Sequence, residues 1–586
     1  MIINQVRGRL SNMAARETET YDCDVLVIGG GLAGTWAAIG AKDYVDDVML
    51  VDKAKVSKTG ASTFAAGAML APQVGDDLDV WTKEILDRGN YVGDQDWIEV
   101  ILHQQPKIID ELETWGVEFE RDKQGRLART VGRAHTSTQI LMFHGPQFMH
   151  VMRKQVATSG IPLVERVMIT DLLTSDGQCP SKGCIVGAVG FDVRSGAFQV
   201  FRAKSVVLAA GGVWGDSQCA RNLTGDGIAM GYRSGAEICG MEFAHPSEGW
   251  VFDRKYKVQG MNLWQGAGMY LVNAQGERFM EKYSPVLKER AQKAELHLAV
   301  AKECVEGRGP VYIDMRHFKP EVWDRFRRVL PNFMRLAEVL EPWKRRIQFD
   351  FGTGAINAAP AGIKNNIFSE TNLPGLYVAG QVSGFPGHGT YSVGGFNLAA
   401  CCVGGRRAGA HAAQYSKTRA SAEITTDQLE RLEESVYKPL SLKNGITPAA
   451  LNIKIKEVAG IAESLFRSEK GINTILNGLA RIKAVLPTLA ARDYHELMRA
   501  NELKNYLACL ELIYRAALER TESRGPHCRV DHPYRDDIDW LKRVILRPAG
   551  DGNVAMRLEP IPVYRYSGKP EKFERVSPAV PPPEVK

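Results

Sequence analysis

Short apolar runs alternate with glycine-rich loops through the first 240 residues of the chain. Residues 24–28 and 47–51 are apolar runs rich in β-branched side chains, which is typical of buried parallel strands. Residues 35–42 lie between them and are rich in alanine and other apolar residues, which favours a helix. The pattern therefore predicts a strand–helix–strand unit over residues 22–52.

The loop between the first strand and the helix has the pattern G-x-G-x-x-G. Gly29 allows a tight turn, Gly31 lets the backbone approach a pyrophosphate, and Gly34 lets the helix pack on the strand. The helix N-terminus offers free N–H groups to phosphates. Asp52 follows about 20 residues later, where a carboxylate binds ribose hydroxyls. With both strands and the helix in register, the unit predicts dinucleotide binding.

Glycine loops follow predicted strands again later in the chain. Residues 205–212 run from an apolar strand into two glycines, and residues 224–231 contain Thr-Gly-Asp-Gly. Residues 375–381 and 394–399 show the same arrangement. These segments resemble parts of flavoproteins with two dinucleotide-binding domains, in which the chain returns several times to one flavin site. The resemblance implies FAD rather than NAD.

Beyond residue 416 the apolar positions change to three- and four-residue spacing. Residues 427–434, 479–486 and 496–518 are therefore expected to be helical. Residues 578–586 are rich in proline, which predicts a tail without fixed structure.

These changes in pattern divide the chain into six predicted segments. They are an N-terminal arm (1–20), the first part of an FAD-binding domain (21–240), a capping domain (241–350), the second part of the FAD-binding domain (351–415), a helical domain (416–550) and a C-terminal tail (551–586).

Composition and charge exclude several function classes. Glycine makes up 57 of 586 residues, above the usual ~7%, and the net charge of +6 is spread without the concentrated basic stripe of a nucleic-acid binder. None of the ten cysteines forms a C-x-x-C pair, so we expect neither an iron–sulfur cluster nor a bound metal in this chain. Scattered thiols fit a reducing cytosol. Without a secretory signal or a long apolar run, we expect a cytoplasmic protein that does not insert into a membrane.

Two motifs are more specific than the glycine loops. Residues 276–281 read Gly-Glu-Arg-Phe-Met-Glu, and residues 522–525 read Glu-Ser-Arg-Gly. Over residues 22–550 the chain resembles the flavoprotein subunits of succinate dehydrogenase and fumarate reductase, L-aspartate oxidase and the alpha subunit of adenylylsulfate reductase. Residues 187–194 and 489–500 look most like the last of these. The resemblance implies an α/β fold, with a Rossmann-like FAD domain, an inserted α+β capping domain and a C-terminal helical domain.

The resemblance also implies how the cofactor is bound. In the succinate and fumarate enzymes a histidine bonds covalently to the flavin, and Ala61 stands at the matching position. Alanine cannot form this bond, so we expect non-covalent FAD. The expected FAD-binding residues are Gly29, Gly30, Gly31, Ala33, Gly34, Asp52, Lys53, Thr59, Gly60, Ala61, Ser62, Gly67, Ala210, Gly211, Asp226, Gly380, Gln381, Asn397 and Leu398.

The expected substrate pocket departs from that of the dicarboxylate enzymes. The family's acid arginine aligns with Lys293, and its carboxylate-gripping arginine aligns with Ser392. A supporting arginine–glutamate pair aligns with Gln265 and Ala267, and a substrate histidine falls near Asn357. Two carboxylates need cationic partners, ideally bidentate arginines. We therefore expect a substrate other than succinate, fumarate or aspartate.

Three residues remain as candidate catalytic groups. His388 and His245 match family positions that face the flavin, where a histidine could transfer protons, bind an anion or only orient a loop. Lys293 could act as an acid, as a point charge for an anionic substrate, or lie solvated on a helix. A small basic cluster could bind an anion or be a plain surface loop, and its members are Arg254, Lys255 and Lys257.

Two classes of function remain open. In the first, the protein is an FAD-dependent oxidoreductase that acts on a small anionic substrate and exchanges electrons with a ferredoxin-like iron–sulfur subunit. Variants of this class are an adenylylsulfate reductase-like enzyme and a stand-alone oxidase that reduces O₂. In the second, the protein is a non-catalytic FAD-binding assembly subunit. The retained histidines and lysine favour the first class.

Overall fold

A seven-stranded sheet lies at the centre of the part of the chain that the computed structural model describes. That part comprises residues 17–65, 67–214, 222–246, 250–252, 256–258, 261–351, 356–357, 360–459, 465–550 and 552–583. The strands lie in the order Leu163–Glu165, Val48–Asp52, Thr18–Ile28, Phe198–Leu208, Ile185–Asp192 and Val167–Thr174, and Leu376–Val378 also pairs with Phe198–Leu208.

The strand Thr18–Ile28 is parallel to both of its neighbours in this sheet. Val25, Leu26 and Val27 are fully buried, because helices and other elements cover both faces of the sheet. The helix Leu32–Lys42 follows the glycine loop directly. The predicted strand–helix–strand unit is therefore confirmed, with a first strand that begins earlier than expected.

Two helices cross closely on one face of the sheet, and glycines allow the approach. A side chain at Gly409 would lie 1.9 Å from the carbonyl oxygen of Ala37, and one at Gly405 would lie 2.4 Å from that of Ala33. Both glycines belong to the helix Phe396–Ser416. Part of the glycine surplus thus serves helix packing rather than nucleotide loops.

The capping region contains a five-stranded antiparallel sheet. Its strands lie in the order Tyr256–Val258, Trp250–Phe252, Ile347–Phe351, Val311–Asp314 and Tyr270–Val272. Its helices are Met261–Gly266, Met280–Tyr283, Lys293–Val305, Pro320–Val329 and Pro331–Leu340. Trp264, Phe326 and Phe333 are central to its apolar core.

The C-terminal part contains the helices that the apolar spacing predicts. They are Thr426–Ser441, Glu469–Val485 and Tyr494–Glu519, and a further helix that the spacing does not predict is Pro448–Val458. The remaining helices of the described chain are Leu78–Arg88, Gln95–Trp115, Gly145–Thr158 and Asp226–Ser234.

The smaller sheets join distant parts of the chain. One has four strands in the order Gly362–Ile363, Ile238–Cys239, Lys542–Pro548 and Val554–Pro560. The two-stranded pairs are Ala68–Leu70 with Ile140–Met142, His245–Pro246 with Ile356–Asn357, Phe466–Arg467 with Cys528–Arg529, and Arg535–Asp536 with Arg575–Val576. No helix among the residues described is long and apolar enough to cross a membrane.

The two ends of the chain differ from the expectation. The strand Thr18–Ile28 begins inside the expected arm, whose residues 1–16 lie outside the described part. The expected tail contributes the strand Val554–Pro560. Val580 is only 2% exposed and packs into the core of the capping region, so residues 578–583 do not form a loose end. Proline disfavours helix and sheet, but it does not prevent a neighbouring apolar side chain from being buried.

Candidate functional site

The three glycines of the first loop have separate structural tasks. Gly29 has a φ of +113°, and a side chain there would lie 2.4 Å from the carbonyl oxygen of Ala209. At Gly34 a side chain would lie 1.7 Å from the carbonyl oxygen of Gly29, so the helix can approach the strand only with glycine. At Gly31 the nearest atom is Ser62 Oγ at 3.8 Å, which leaves the backbone open to a ligand. The loop therefore has the form that a pyrophosphate needs.

A cavity extends from this loop to the capping region. All but three of the residues expected to bind FAD line it: Gly29, Gly30, Gly31, Ala33, Asp52, Lys53, Thr59, Gly60, Ala61, Ser62, Ala210, Gly211, Asp226, Gln381, Asn397 and Leu398. The lining also includes Arg133, Gln265, Lys293 and Tyr391 at the end that the sequence assigns to substrate. The residues present thus fit FAD along one continuous wall.

The three exceptions are glycines that pack inside the protein. Gly34 faces the carbonyl of Gly29. A side chain at Gly67 would lie 1.6 Å from the carbonyl oxygen of Phe143, and one at Gly380 would lie 2.6 Å from Ala33 Cβ. Close packing of neighbouring elements accounts for the missing side chain at each of these glycines, and their contact with the cofactor stays a prediction.

Asp52 holds the glycine loop against the end of its strand. Its Oδ2 accepts a hydrogen bond from Gly30 N–H at 2.7 Å, and its Oδ1 accepts one from Ala54 N–H at 2.7 Å. Burial raises the pKa of this carboxyl above its usual value. The carboxylate therefore both lines the cavity and orders the loop that would bind the pyrophosphate.

Lys53 links the cavity wall to the C-terminal helices. Its Nζ donates to Asp226 Oδ2 at 2.6 Å, to Glu502 Oε1 at 2.7 Å and to Thr224 Oγ1 at 3.2 Å. Burial alone would lower the pKa of Lys53, but the carboxylates of Asp226 and Glu502 more than offset it and raise the pKa above its usual value. Glu502 lies on the helix Tyr494–Glu519 and was not among the predicted site residues.

Two cations meet one aromatic ring at the substrate end of the cavity. The Lys293 Nζ lies 4.8 Å from the centre of the Tyr391 ring, and the guanidinium carbon of Arg133 also lies 4.8 Å from it. Lys293 is 2% exposed and Arg133 is 5% exposed. Lys293 is therefore not a solvated helix lysine. Sequence reasoning missed Arg133 and Tyr391, because no local motif surrounds Arg133.

His388 contacts Ser392, the residue that the sequence prediction aligns with the family's carboxylate-gripping arginine. Its Nδ1 lies 2.7 Å from Ser392 Oγ and accepts a hydrogen bond from Ser392 N–H at 3.0 Å. Its Nε2 is buried and has no hydrogen-bond partner among the described residues. Burial, followed by the charges of Arg133 and Lys293, lowers the pKa of His388 well below its usual value.

His245 also lies near Tyr391. Its ring centre is 5.8 Å from that of Tyr391 and 5.8 Å from that of His297. Neither of its ring nitrogens has a hydrogen-bond partner in the described part of the chain. Burial and the charge of Lys293 lower the pKa of His245 well below its usual value. Tyr391, rather than either candidate histidine, forms the cavity wall itself.

Other predicted substrate residues are only partly described. Gln265 is buried, and its Nε2 donates to the carbonyl oxygen of Glu289 at 2.7 Å. The backbone of Asn357 pairs with that of His245. Arg254 and Lys255 lie outside the described residues, and Lys257 is described only through its backbone in the strand Tyr256–Val258.

Comparison with known proteins decides the family. The FAD binding domain family matches residues 24–398, and the fumarate reductase flavoprotein C-terminal family matches residues 455–577. The chain belongs to the FAD-dependent fumarate reductase and succinate dehydrogenase flavoprotein family. This flavoprotein is an FAD-dependent oxidoreductase with the expected α/β fold.

Similar proteins cover nearly the whole chain. A fumarate reductase (CoM/CoB) subunit of Methanothermobacter marburgensis is 29% identical, covering 90% of this chain and 98% of that protein. The succinate dehydrogenase flavoprotein subunit of Rickettsia conorii is 28% identical, covering 92% and 95%.

Solved structures show the same fold. Quinol fumarate reductase of E. coli superposes with a TM-score of 0.82 at 22% identity, and adenylylsulfate reductase of Archaeoglobus fulgidus with 0.78 at 22% identity. Each comparison covers 93% of this chain and 97% of the other.

Proposed function

We propose that this flavoprotein binds FAD non-covalently and exchanges an electron pair with a small anionic substrate. The observation that carries the proposal is the pair of buried cations, Arg133 and Lys293, on the cavity wall beside Tyr391. Bound FAD would supply the two-electron redox chemistry, and the protein would supply position and charge. The charges of Arg133 and Lys293 would attract an anion to this end of the cavity.

The arrangement also suggests how protons are handled. His245 and His388 would be neutral near pH 7, because their pKa values lie well below the usual range. The proton of neutral His388 would sit on Nε2, since Nδ1 accepts from Ser392 N–H. Neutral His388 would support Tyr391, whose ring centre lies 4.4 Å from its own, while Lys293, which lines the cavity, would act as the acid or the point charge.

We propose that succinate and fumarate are poor substrates, although related proteins carry those names. Ser392 stands where the resemblance places a carboxylate-gripping arginine, and its side chain is buried against His388. Arg133 supplies a guanidinium from another segment of the chain. One arginine and one lysine suit an anion of different shape from a dicarboxylate that is held by two arginines. An adenylylsulfate reductase-like reaction is the alternative that the family resemblance offers.

The electron partner is a separate part of the proposal. We propose a small ferredoxin-like iron–sulfur subunit, which the family resemblance implies, and a cytoplasmic location. The naming of similar proteins as subunits supports a multi-chain enzyme. Co-purification of an iron-containing protein from the native host would support this part, and rapid reoxidation of the reduced flavin by O₂ alone would favour the stand-alone oxidase.

The decisive experiment is an anaerobic flavin bleaching screen on the purified protein. Sulfite with AMP, succinate and other small acids and thiols would be added to the oxidised protein, and fumarate to the reduced protein. We expect an anionic compound to change the flavin oxidation state and succinate to leave it unchanged. Bleaching by succinate would contradict the assignment of the pocket, and failure of every compound and dye would favour the non-catalytic assembly subunit.

The mode of FAD binding is tested by acid precipitation. Because Ala61 cannot bond to the flavin, we expect all yellow colour in the supernatant. Colour in the protein pellet would contradict non-covalent binding.

A further inference from the structure

Trp214 lies beside Ala61, the position at which the resemblance places the covalent histidine of the relatives. Trp214 and Leu223 form a small buried apolar cluster, and Ala61 packs against it. All three residues line the cavity. The small side chain of Ala61 therefore leaves the indole as the bulky group at this point of the wall.

The backbone around Trp214 is fixed by short-range pairing. Trp214 N–H donates to the carbonyl oxygen of Leu223 at 2.9 Å, and Val213 forms a β-bridge with Thr224. Asn222 Nδ2 lies 3.5 Å from Thr59 Oγ1, and this contact joins the segment that contains Leu223 to the segment that contains Ala61. These contacts fix the backbone that carries the indole.

The indole N–H has no hydrogen-bond partner among the residues that the structure describes. Trp214 is 8% exposed, so this donor is also largely removed from solvent. A buried donor without an acceptor is unfavourable. Because the residue lines the cavity, an acceptor on a bound molecule is the natural partner.

We propose that Trp214 positions the FAD where the covalent histidine of the relatives is absent. Its flat ring packs against the cofactor, and its Nε1–H donates one hydrogen bond to it. The inference rests on the proposed non-covalent binding of FAD. Under this proposal Trp214 helps to retain FAD in the protein, a role that a covalent bond would otherwise have.

Titration of the FAD-depleted protein with FAD, followed by quenching of flavin fluorescence, tests the proposal. Trp214→Phe retains an aromatic ring, but it removes the N–H donor together with part of the flat ring surface. We expect the Kd for FAD to rise about tenfold, the effect of losing one hydrogen bond of about 1.4 kcal/mol. We also expect the visible absorption band of the bound flavin to shift.

Trp97→Phe is the matched control. Trp97 is buried, and its Nε1 also has no partner within the described residues, but it does not line the cavity. Its Kd for FAD should stay within twofold of the parent. If Trp214→Phe also stays within twofold with an unchanged flavin spectrum, the proposal is wrong.

A second measurement is used if FAD cannot be removed from a variant reversibly. Flavin fluorescence recorded while the intact protein is heated reports FAD release, and we expect release from Trp214→Phe at a lower temperature than from Trp97→Phe. Equal release temperatures would overturn the proposal. These measurements need no substrate, and acid precipitation of the parent separately tests non-covalent binding, so the failures can be told apart.

Discussion

The buried ion cluster around Lys53 allows a prediction whose size follows from the structure. Lys53→Met removes the positive charge but keeps most of the side-chain volume. The side chains of Lys53, Asp226 and Glu502 are 13%, 8% and 3% exposed. The substitution would therefore leave two carboxylates largely buried after their shared cation is lost.

Breaking a buried ion pair by removing one partner costs about 3–5 kcal/mol. Some stabilising contacts would remain, because Asp226 Oδ1 still accepts from Asn505 Nδ2 at 2.9 Å and Glu502 Oε2 still accepts from Arg499 at 2.7 Å. We therefore expect a loss near the lower limit, about 3 kcal/mol in the free energy of unfolding. The helix Tyr494–Glu519 would lose a link to the cavity wall at the same time.

Urea unfolding at saturating FAD, followed by far-UV circular dichroism, measures this loss. Lys42→Met is the control, because Lys42 pairs with a fully exposed Asp46, and the expected cost is below about 0.5 kcal/mol. Lys53→Met combined with Glu502→Gln should recover part of the stability, since one of the uncompensated charges is then removed. A loss below about 1 kcal/mol for Lys53→Met would show that Asp226 and Glu502 do not depend on this cation.

Three further predictions concern the loop, the anion site and pH. Gly34→Ala should abolish FAD retention, because the added Cβ would lie 1.7 Å from the carbonyl oxygen of Gly29. The purified variant should therefore show a much lower ratio of flavin to protein absorbance. Gly550→Ala is the control, because the space around Gly550 is open and this variant should retain FAD. Arg133→Gln should weaken binding of a small inorganic dianion such as sulfate by about tenfold or more, followed by the flavin spectrum. Arg129→Gln should not weaken it, because the parent Arg129 pairs with a carboxylate outside the cavity, and equal affinities of the two variants would contradict the anion site. Burial lowers the pKa of His135 to about 4, so its contribution to stability is present above about pH 6.5 and is lost as the pH falls towards 4, by up to about 3 kcal/mol. Unfolding free energies at pH 7.5 and 5 should differ less in His135→Gln, and an unchanged difference would exclude this role.

Local signals made the nucleotide-binding unit predictable. The apolar runs, the three glycines and Asp52 all lie within residues 22–52, and each has a task that follows from its own chemistry. The structure places Gly29, Gly31 and Gly34 as the turn, the open backbone and the packing contact. The C-terminal helices were predictable for a similar reason, because their apolar spacing is a local property.

The substrate end was less predictable, because its residues come from distant segments. Arg133, Lys293 and Tyr391 are far apart in the chain and meet only after the capping region packs on the FAD domain. Because no sequence motif surrounds Arg133, the sequence alone does not predict that it lies close to Lys293 and Tyr391. Glu502 is a similar case, since its helical pattern predicted a helix but not the partner of Lys53.

The C-terminal segment has a consequence for how the protein is made. Val580 completes the apolar core of the capping region, and Lys302 Nζ donates to the carbonyl oxygen of Pro581 at 2.8 Å. During synthesis the N-terminal domains emerge and fold first, so the capping core stays incomplete until Val580 has also left the ribosome. Until then, its apolar surface is exposed to chaperones and to other nascent chains.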